Sequence, residues 1–298
     1  MTILLALLID LLFGEPPARL HPVVWMGSYL GWVGRRLPAL PPRPAFLAGA
    51  AGWLGGAVLV VAVSAAAAAA LAAAPSWVGV PVLALLLKPL FALRLLLGEV
   101  AAIETALAEG LEAGRARLAR IVSRDTGALS AGEVRESALE SLAENLSDSL
   151  VAPLFWFLLL GLPGAALYRF ANTADAMWGY RGRWEWAGKW AARADDVMNF
   201  LPARLTALAL LGAGALRCSG IARLVHEARR TASPNSGWPM AALALALGVR
   251  MGKPGVYLLN AAGAVPGPSH LRLGLRLAAR VGIWLALLAA AGEVAAHG

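Results

Sequence analysis

Apolar residues run along this chain in blocks longer than a soluble core requires. Residues 44–87 carry no charged side chain, whereas about 20 apolar residues suffice for one helical crossing of a bilayer. Pro75-Ser-Trp-Val-Gly-Val-Pro81 interrupts the block with turn residues and an interfacial tryptophan, so the pattern predicts a helical hairpin, 46–72 and 77–97. Its two ends then share one side, and Arg35, Arg36, Arg43 and Arg94 beside them make that side cytoplasmic. Further apolar segments lie at about 1–13, 150–168, 201–216 and 281–296. The expectation is an all-α, polytopic integral membrane protein with about four to six membrane-embedded helices, forming a single domain over 1–298. Segment 1–13 lacks a basic start and a small-x-small cleavage site, so it reads as a retained helix, not a signal peptide.

Between these blocks the periodicity changes. Val100, Ile103, Leu107, Leu111, Leu118 and Ile121 recur at helical spacing, with Glu99, Glu104, Glu109 and Glu112 first and Arg115, Arg117 and Arg120 last. That order suits the helix macrodipole and predicts an amphipathic cytoplasmic helix over 99–122. Ser130-x-x-Glu133 is a capping box opening a second helix that runs to about Ser147. In 150–168, Pro153 and Gly161-Leu-Pro163-Gly164 interrupt the helix. Broken backbone at membrane depth is tolerated where protein or water surrounds it. The segment is therefore expected to dip in and return, keeping the polar regions 98–148 and 169–200 both cytoplasmic. A polar, arginine-bearing region, 217–280, precedes the last apolar segment.

Composition sharpens this picture. Charged residues make up only 15% of the chain and mean hydropathy is +0.66, whereas a soluble domain carries about a quarter charged residues. The net charge is +8, yet residues 98–148 hold ten acids against five arginines, so the remainder sums to +13. Those bases flank apolar runs, as cytoplasmic loops and headgroup contacts do. No helix-turn-helix, zinc finger or aromatic-basic platform accompanies them, which excludes a nucleic-acid partner. Cys218 is the one cysteine, so neither a disulfide nor a cysteine-rich metal site is available. His226-Glu227-Ala-Arg-Arg is not a zinc-protease motif, and Gly182–Trp190 only imitates a P-loop: it places Trp190 where Ser or Thr must meet Mg²⁺.

Four polar constellations remain. Glu133, Glu136, Glu140 and Glu144 share one helix face, with Asp148 a turn beyond and Asn145 alongside. They form either a solvated stripe eased by Arg135 or a site for Mg²⁺, which takes oxygen ligands and substrate phosphates. Residues 168–204 gather Tyr168, Arg169, Asn172, Asp175, Tyr180, Arg181, Arg193, Asp195, Asp196, Asn199 and Arg204. Such density of ionisable groups beside a bilayer marks a functional candidate, against the plainer reading of a solvated loop. Ser233-Pro-Asn235-Ser236-Gly-Trp238-Pro239 offers hydroxyls and amides that would cradle an anion, or is simply a turn. Asp10…Gly14-Glu15-Pro16…His21-Pro22 is the fourth, its lone histidine more often structural than a ligand.

The runs Arg124-Asp-Thr126, Glu140-Ser-Leu-Ala-Glu144-Asn145-x-x-Asp148, Ala152-Pro-Leu-Phe155, Tyr168-Arg169 and Asn172-Thr-x-Asp175-x-Met177-x-Gly-Tyr180 resemble the CobD/CbiB family of cobalamin-biosynthesis membrane proteins. So do Ala192-Arg-x-Asp-Asp196, Pro202-Ala-Arg204, Ser233–Pro239 and the opening Gly-Glu-Pro…His-Pro-Val. The matches span nearly the whole chain in order. Met240 departs from members that carry Glu after Trp-Pro, so no acid role transfers there. The resemblance implies adenosylcobinamide-phosphate synthase, an amide ligase joining adenosylcobyric acid to (R)-1-amino-2-propanol or its O-phosphate. It implies ATP and Mg²⁺, because amide formation from a free carboxylate is uphill in water, and an acyl phosphate attacked by the amine. The expected catalytic carboxylates are Glu140, Glu144, Asp148, Asp175, Asp195 and Asp196, the first three also tentative Mg²⁺ ligands. Arg124, Asn145, Arg169, Asn172, Tyr180, Arg181, Arg193, Asn199, Arg204, Ser233, Asn235, Ser236, Trp238 and His21 are the expected substrate contacts. The expected setting is the inner cell membrane, with the site facing the cytoplasm and other membrane enzymes of cobalamin assembly as companions. A corrinoid transporter and a non-catalytic anchor of the assembly are the competing readings.

Overall fold

A computed structural model describes residues 1–214 and 219–297; Cys218 and positions 215–216 of the expected 201–216 segment lie outside them. The chain is helical almost throughout. Its helices are α1 (Thr2–Phe13), α2 (Pro22–Gly34), α3 (Pro42–Ala72), α4 (Ser76–Leu87) and α5 (Leu93–Glu109). Then come α6 (Leu111–Leu118), α7 (Ala131–Leu146), α8 (Ala152–Trp178), α9 (Lys189–Met198) and α10 (Phe200–Ala213). After α11 (Ser219–Ala228) and α12 (Gly237–Leu247), a hairpin of β1 (Met251–Lys253) and β2 (Tyr257–Leu259) leads into α13 (Pro268–His297). Four helical stretches, Pro42–Ala72, Ser76–Glu109, Ala131–Trp178 and Pro268–Ala295, are long and apolar enough to cross a bilayer. The chain is an all-α membrane protein.

Contacts group it into two units, each assembled from separated segments: Met1–Ala92, Ala152–Asn199 and Ala286–Gly298 in one, Leu93–Val151 and Phe200–Leu285 in the other. In the first unit α3 packs on α8 and α9, and Phe170 meets Trp53 and Tyr29 at ring-centroid distances of 6.0 and 6.3 Å. Glu293 of α13 receives the backbone N–H groups of Thr2 and Ile3 at 2.9 and 3.0 Å. A carboxylate there satisfies donors that α1 leaves open at its start and suits the dipole.

α8 is not straight. Gly161 adopts φ 66, ψ −157, a region open essentially to glycine. A Cβ on Gly164 would collide with the carbonyl oxygen of Trp156, which a straight helix would place about 12 Å away. The backbone therefore turns back on itself at Gly161. The limb before the turn, 152–160, is about 14 Å long, roughly half a hydrocarbon core, and Leu159 and Leu160 at its tip are exposed.

In the second unit α12 is buried almost throughout and packs on α10, α11 and α7. The capping box forms: Ser130 Oγ accepts from the Glu133 N–H at 3.4 Å, and the Glu133 carboxylate accepts from the Ser130 N–H at 2.7 Å. Two expected helices are divided. The single helix over 99–122 breaks at Gly110, where φ is +158, and α5 and α6 pack on each other. The 77–97 helix is interrupted at Lys88-Pro89-Leu90, where Phe91 is extended, because Pro89 offers no N–H to continue the ladder.

Candidate functional site

In the second unit α7 turns its acidic stripe into the protein instead of toward solvent, leaving Glu136 and Glu140 only 3% and 2% exposed. Carboxylates so buried require partners. Arg250 donates Nε–H to Glu136 Oε1 at 2.9 Å. Arg124, on the loop before α7, donates from Nη2 to Glu140 Oε2 at 2.7 Å and from Nη1 to Ser137 Oγ at 3.0 Å. Arg135 forks onto Glu104 of α5 at 2.8 and 2.9 Å, which anchors the helix. The second oxygen of Glu140, Oε1, is buried without a hydrogen-bond partner among the described residues. Tyr257 of β2 stands beside it. Burial, then the Glu140 charge, pushes the Tyr257 phenol well above its ordinary range, with Glu144 adding to the effect. The hydroxyl consequently stays protonated, and in this structure it reaches Met240 Sδ at 3.9 Å.

A cavity of about 430 Å³ opens here, lined by Glu133, Glu136, Arg250, Lys253 and Tyr257 among others. Two carboxylates, two cations and a neutral phenol line it, a set able to hold an ammonium and orient a phosphate, and buried Glu140 stands behind them, next to Tyr257. Glu144 and Asn145 continue the face half-buried, Asn145 donating to the Ser141 carbonyl at 2.9 Å. Asp148 falls in a π-helical turn over 147–151, a distortion frequent at functional sites. Among the described residues no three His, Cys, Asp or Glu side chains gather closely enough to hold a metal by themselves.

The first unit carries a separate network between α8 and α9. Tyr168 donates to Asn199 Oδ1 at 2.9 Å, Asn199 donates to Asp195 Oδ2 at 3.1 Å, and Asn172 donates to Asp195 Oδ1 at 3.3 Å. Burial, and next the negative charge of Asp175, pushes the Asp195 carboxyl up to about 7, against the two asparagine bonds that pull it down. Asp196 is raised too, by burial. Arg169 contributes a buried Nε without a hydrogen-bond partner among the described residues. A carboxyl titrating near neutrality is suited to proton transfer. Tyr180, Arg181 and Arg193 are exposed and take no part in these bonds.

The remaining expected residues make local contacts. Arg204 is stacked between Phe200 and Trp238, 3.7 and 4.7 Å from their ring centroids, and donates to Asn235 Oδ1 at 2.8 Å. Ser233 Oγ accepts from the N–H groups of Asn235 and Ser236 at 3.2 Å, so Ser233–Pro239 is a turn that starts α12 and is latched by Arg204. His21 Nδ1 accepts from the Val23 N–H at 3.3 Å, capping α2, while Nε2 meets Glu15 at 3.0 Å. Lys88, 3% exposed, pairs with that Glu15 at 2.7 Å and with buried Asp10 at 3.1 Å.

Sequence reading passed over Lys88, although it is the one charged residue between Arg43 and Arg94. It also passed over Arg250, Lys253 and Tyr257, whose signal was the Pro254-Gly255 turn between two short apolar stretches, a hairpin pattern.

Together these observations define a class: a helical membrane protein whose ionisable residues, among those described, gather into buried carboxylate networks on α7, between α8 and α9, and around Lys88. The chain belongs to the CobD/Cbib protein family, whose model matches residues 3–272. It is 45% identical over 260 residues to the probable cobalamin biosynthesis protein CobD of Pyrococcus abyssi, covering 85% of this chain and 83% of that one. It is 43% identical over 294 residues to cobalamin biosynthesis protein CobD of Chromobacterium violaceum, with 94% and 92% covered. The probable cobalamin biosynthesis protein CobD of Methanothermobacter thermautotrophicus is 41% identical over 266 residues, with 87% and 86% covered. No solved structure matches.

Proposed function

We propose that this protein acts in cobalamin biosynthesis as an ATP-dependent amide ligase, joining adenosylcobyric acid to (R)-1-amino-2-propanol or its O-phosphate. Family membership over nearly the whole chain supports the pathway. The observation that carries the chemistry is Glu140, a buried carboxylate that Arg124 holds by one oxygen at 2.7 Å while Lys253 and Tyr257 stand beside it. Mg²⁺ is usually held by one or two carboxylates, with substrate phosphates and water completing its shell. Glu144 and Asp148, both half-buried, one at the end of α7 and one in the π-helical turn after it, are oxygen donors of that kind and would hold the ion. ATP with Mg²⁺ supplies the phosphoryl group that converts the propionate carboxylate into an acyl donor. Glu140 receives the ammonium proton and frees the amine to attack, Arg250 and Lys253 hold phosphate oxygens, and the Tyr257 hydroxyl donates to negative charge developing on the acyl oxygen. In this reading the protein is a multi-pass protein of the inner membrane, and the fold-back at Gly161 makes 150–168 re-entrant. The Glu140 site then faces the cytoplasm.

The test incubates purified protein with adenosylcobyric acid, either acceptor and Mg-ATP, and identifies products by mass. The reading expects an amide adduct whose formation requires ATP and consumes it in step. Corrinoid binding with neither product nor ATP turnover would favour a transporter, and product-forming activity residing only in companion proteins would favour an anchor. Either result overturns the proposal.

A further inference from the structure

We infer a second site in the Leu93–Val151/Phe200–Leu285 unit, one that binds a phosphate-class anion and is formed by α11, the end of α12 and the turn after β2. A cavity of about 330 Å³ lies there, lined by Gly220, Arg223, Leu245, Gly248, Asn260 and Gly263 among others. That volume suits a small ligand, larger than a lone ion.

Asn260 is the one non-glycine among the described residues with positive φ, at 46°, and strained backbone of this kind concentrates at ligand clamps. Its place is over-determined. Its N–H donates to buried Glu227 at 2.9 Å, its side-chain amide donates to the Val249 carbonyl at 2.8 Å, and its own carbonyl accepts from the Gly263 N–H at 2.7 Å. What this arrangement presents is Oδ1, which accepts from Arg223 Nη2 at 2.6 Å and fixes the guanidinium at the cavity. Arginine has five N–H donors, and Arg223 forms no ion pair among the described residues, whereas nearby Arg230 pairs with Glu227 at 3.3 Å. The amide of Ala262, which lines the cavity, donates to no described residue, and Gly220 brings the first turn of α11 there. An exposed guanidinium held in place with no ion pair among the described residues, glycine walls and an open backbone amide are complementary to a phosphate group carried on a larger body. None of these residues belongs to the Glu140 network, so the site stands apart from the proposed ligation.

A soluble phosphate compound and a lipid headgroup share this chemistry. Exposed Ile221, Arg229 and Arg230 on and after α11 suit an approach from a membrane surface as well as from solution. The experiment uses the full chain purified in detergent. Titration calorimetry reads inorganic phosphate and pyrophosphate, and native mass spectrometry reads phosphatidylglycerol against phosphatidylcholine. Wild type is expected to bind at least one anionic probe, and Arg223→Gln to weaken that binding roughly 10–100-fold, as loss of a charge-assisted hydrogen bond implies. Arg223→Lys should fall between them, and Arg43→Gln, which removes an exposed charge elsewhere, should match wild type. Binding of phosphate or pyrophosphate alone assigns a soluble ligand, and binding of phosphatidylglycerol alone assigns the headgroup. Wild type binding none of the anionic probes would overturn the inference. So would wild-type affinity in Arg223→Gln, or, if that variant does not fold, in Arg223→Lys.

Discussion

Asp195 shows what burial does to a carboxyl group in this chain. Its carboxyl is raised from 3.8 to about 7, so the folded protein keeps a proton that the unfolded chain releases between those values. The contribution to stability is complete below about pH 4, declines as pH rises, and is lost above about pH 7. Asp195→Asn preserves the shape and cannot titrate. Wild type should therefore melt at progressively lower temperature between about pH 4 and pH 7, and the variant should show a flatter profile. An unchanged slope in Asp195→Asn would show that another group governs it. The residues of this network were legible because Tyr168, Asn172, Asp195 and Asn199 stand out as one polar segment in an apolar chain; that two helices bring them together was not. The partners of Glu136 and Glu140 were half-legible. Arg124 lies 16 positions from Glu140, but Arg250 lies 114 from Glu136, and only packing reveals a pair of that range.

At the scale of elements, local chemistry read well where it was self-contained. The Ser130–Glu133 box and the Pro75 turn depend on neighbours within a few residues. Gly110 was harder: acids before it and bases after it looked like one dipole-matched helix, whereas the second half folds back to cover Leu107. Gly161 and Pro163 announced a break, and its geometry now bears on sidedness. If 150–168 is re-entrant, the 179–188 loop is cytoplasmic. Gly182 is the loop's midpoint, but its φ of +81 would strain any side chain, so exposed Arg183 is the better reporter. In a Cys218→Ser background, Arg183→Cys should react with an impermeant maleimide only after permeabilisation. Labelling in intact cells would place the loop outside and rule out the re-entrant arrangement.

For the whole molecule, hydropathy established the membrane class, while the division into two interleaved units was not readable because each is built from segments distant in sequence. The lone charges inside apolar blocks follow the same logic. Lys88 is stable at 3% exposure through Asp10 and Glu15, and breaking such a buried pair typically costs about 3–5 kcal/mol. The central claim is that an embedded helical protein performs ligation at the buried Glu140. Its most direct test measures amide product and ATP consumption by wild type and Glu140→Gln, prepared in the same detergent and matched for melting behaviour. The account predicts ATP-coupled product from wild type and a fall of about 100-fold or more in Glu140→Gln, the scale of a lost general base. Product formation by Glu140→Gln within about twofold of wild type would contradict it, since loss of a general base costs at least ~100-fold.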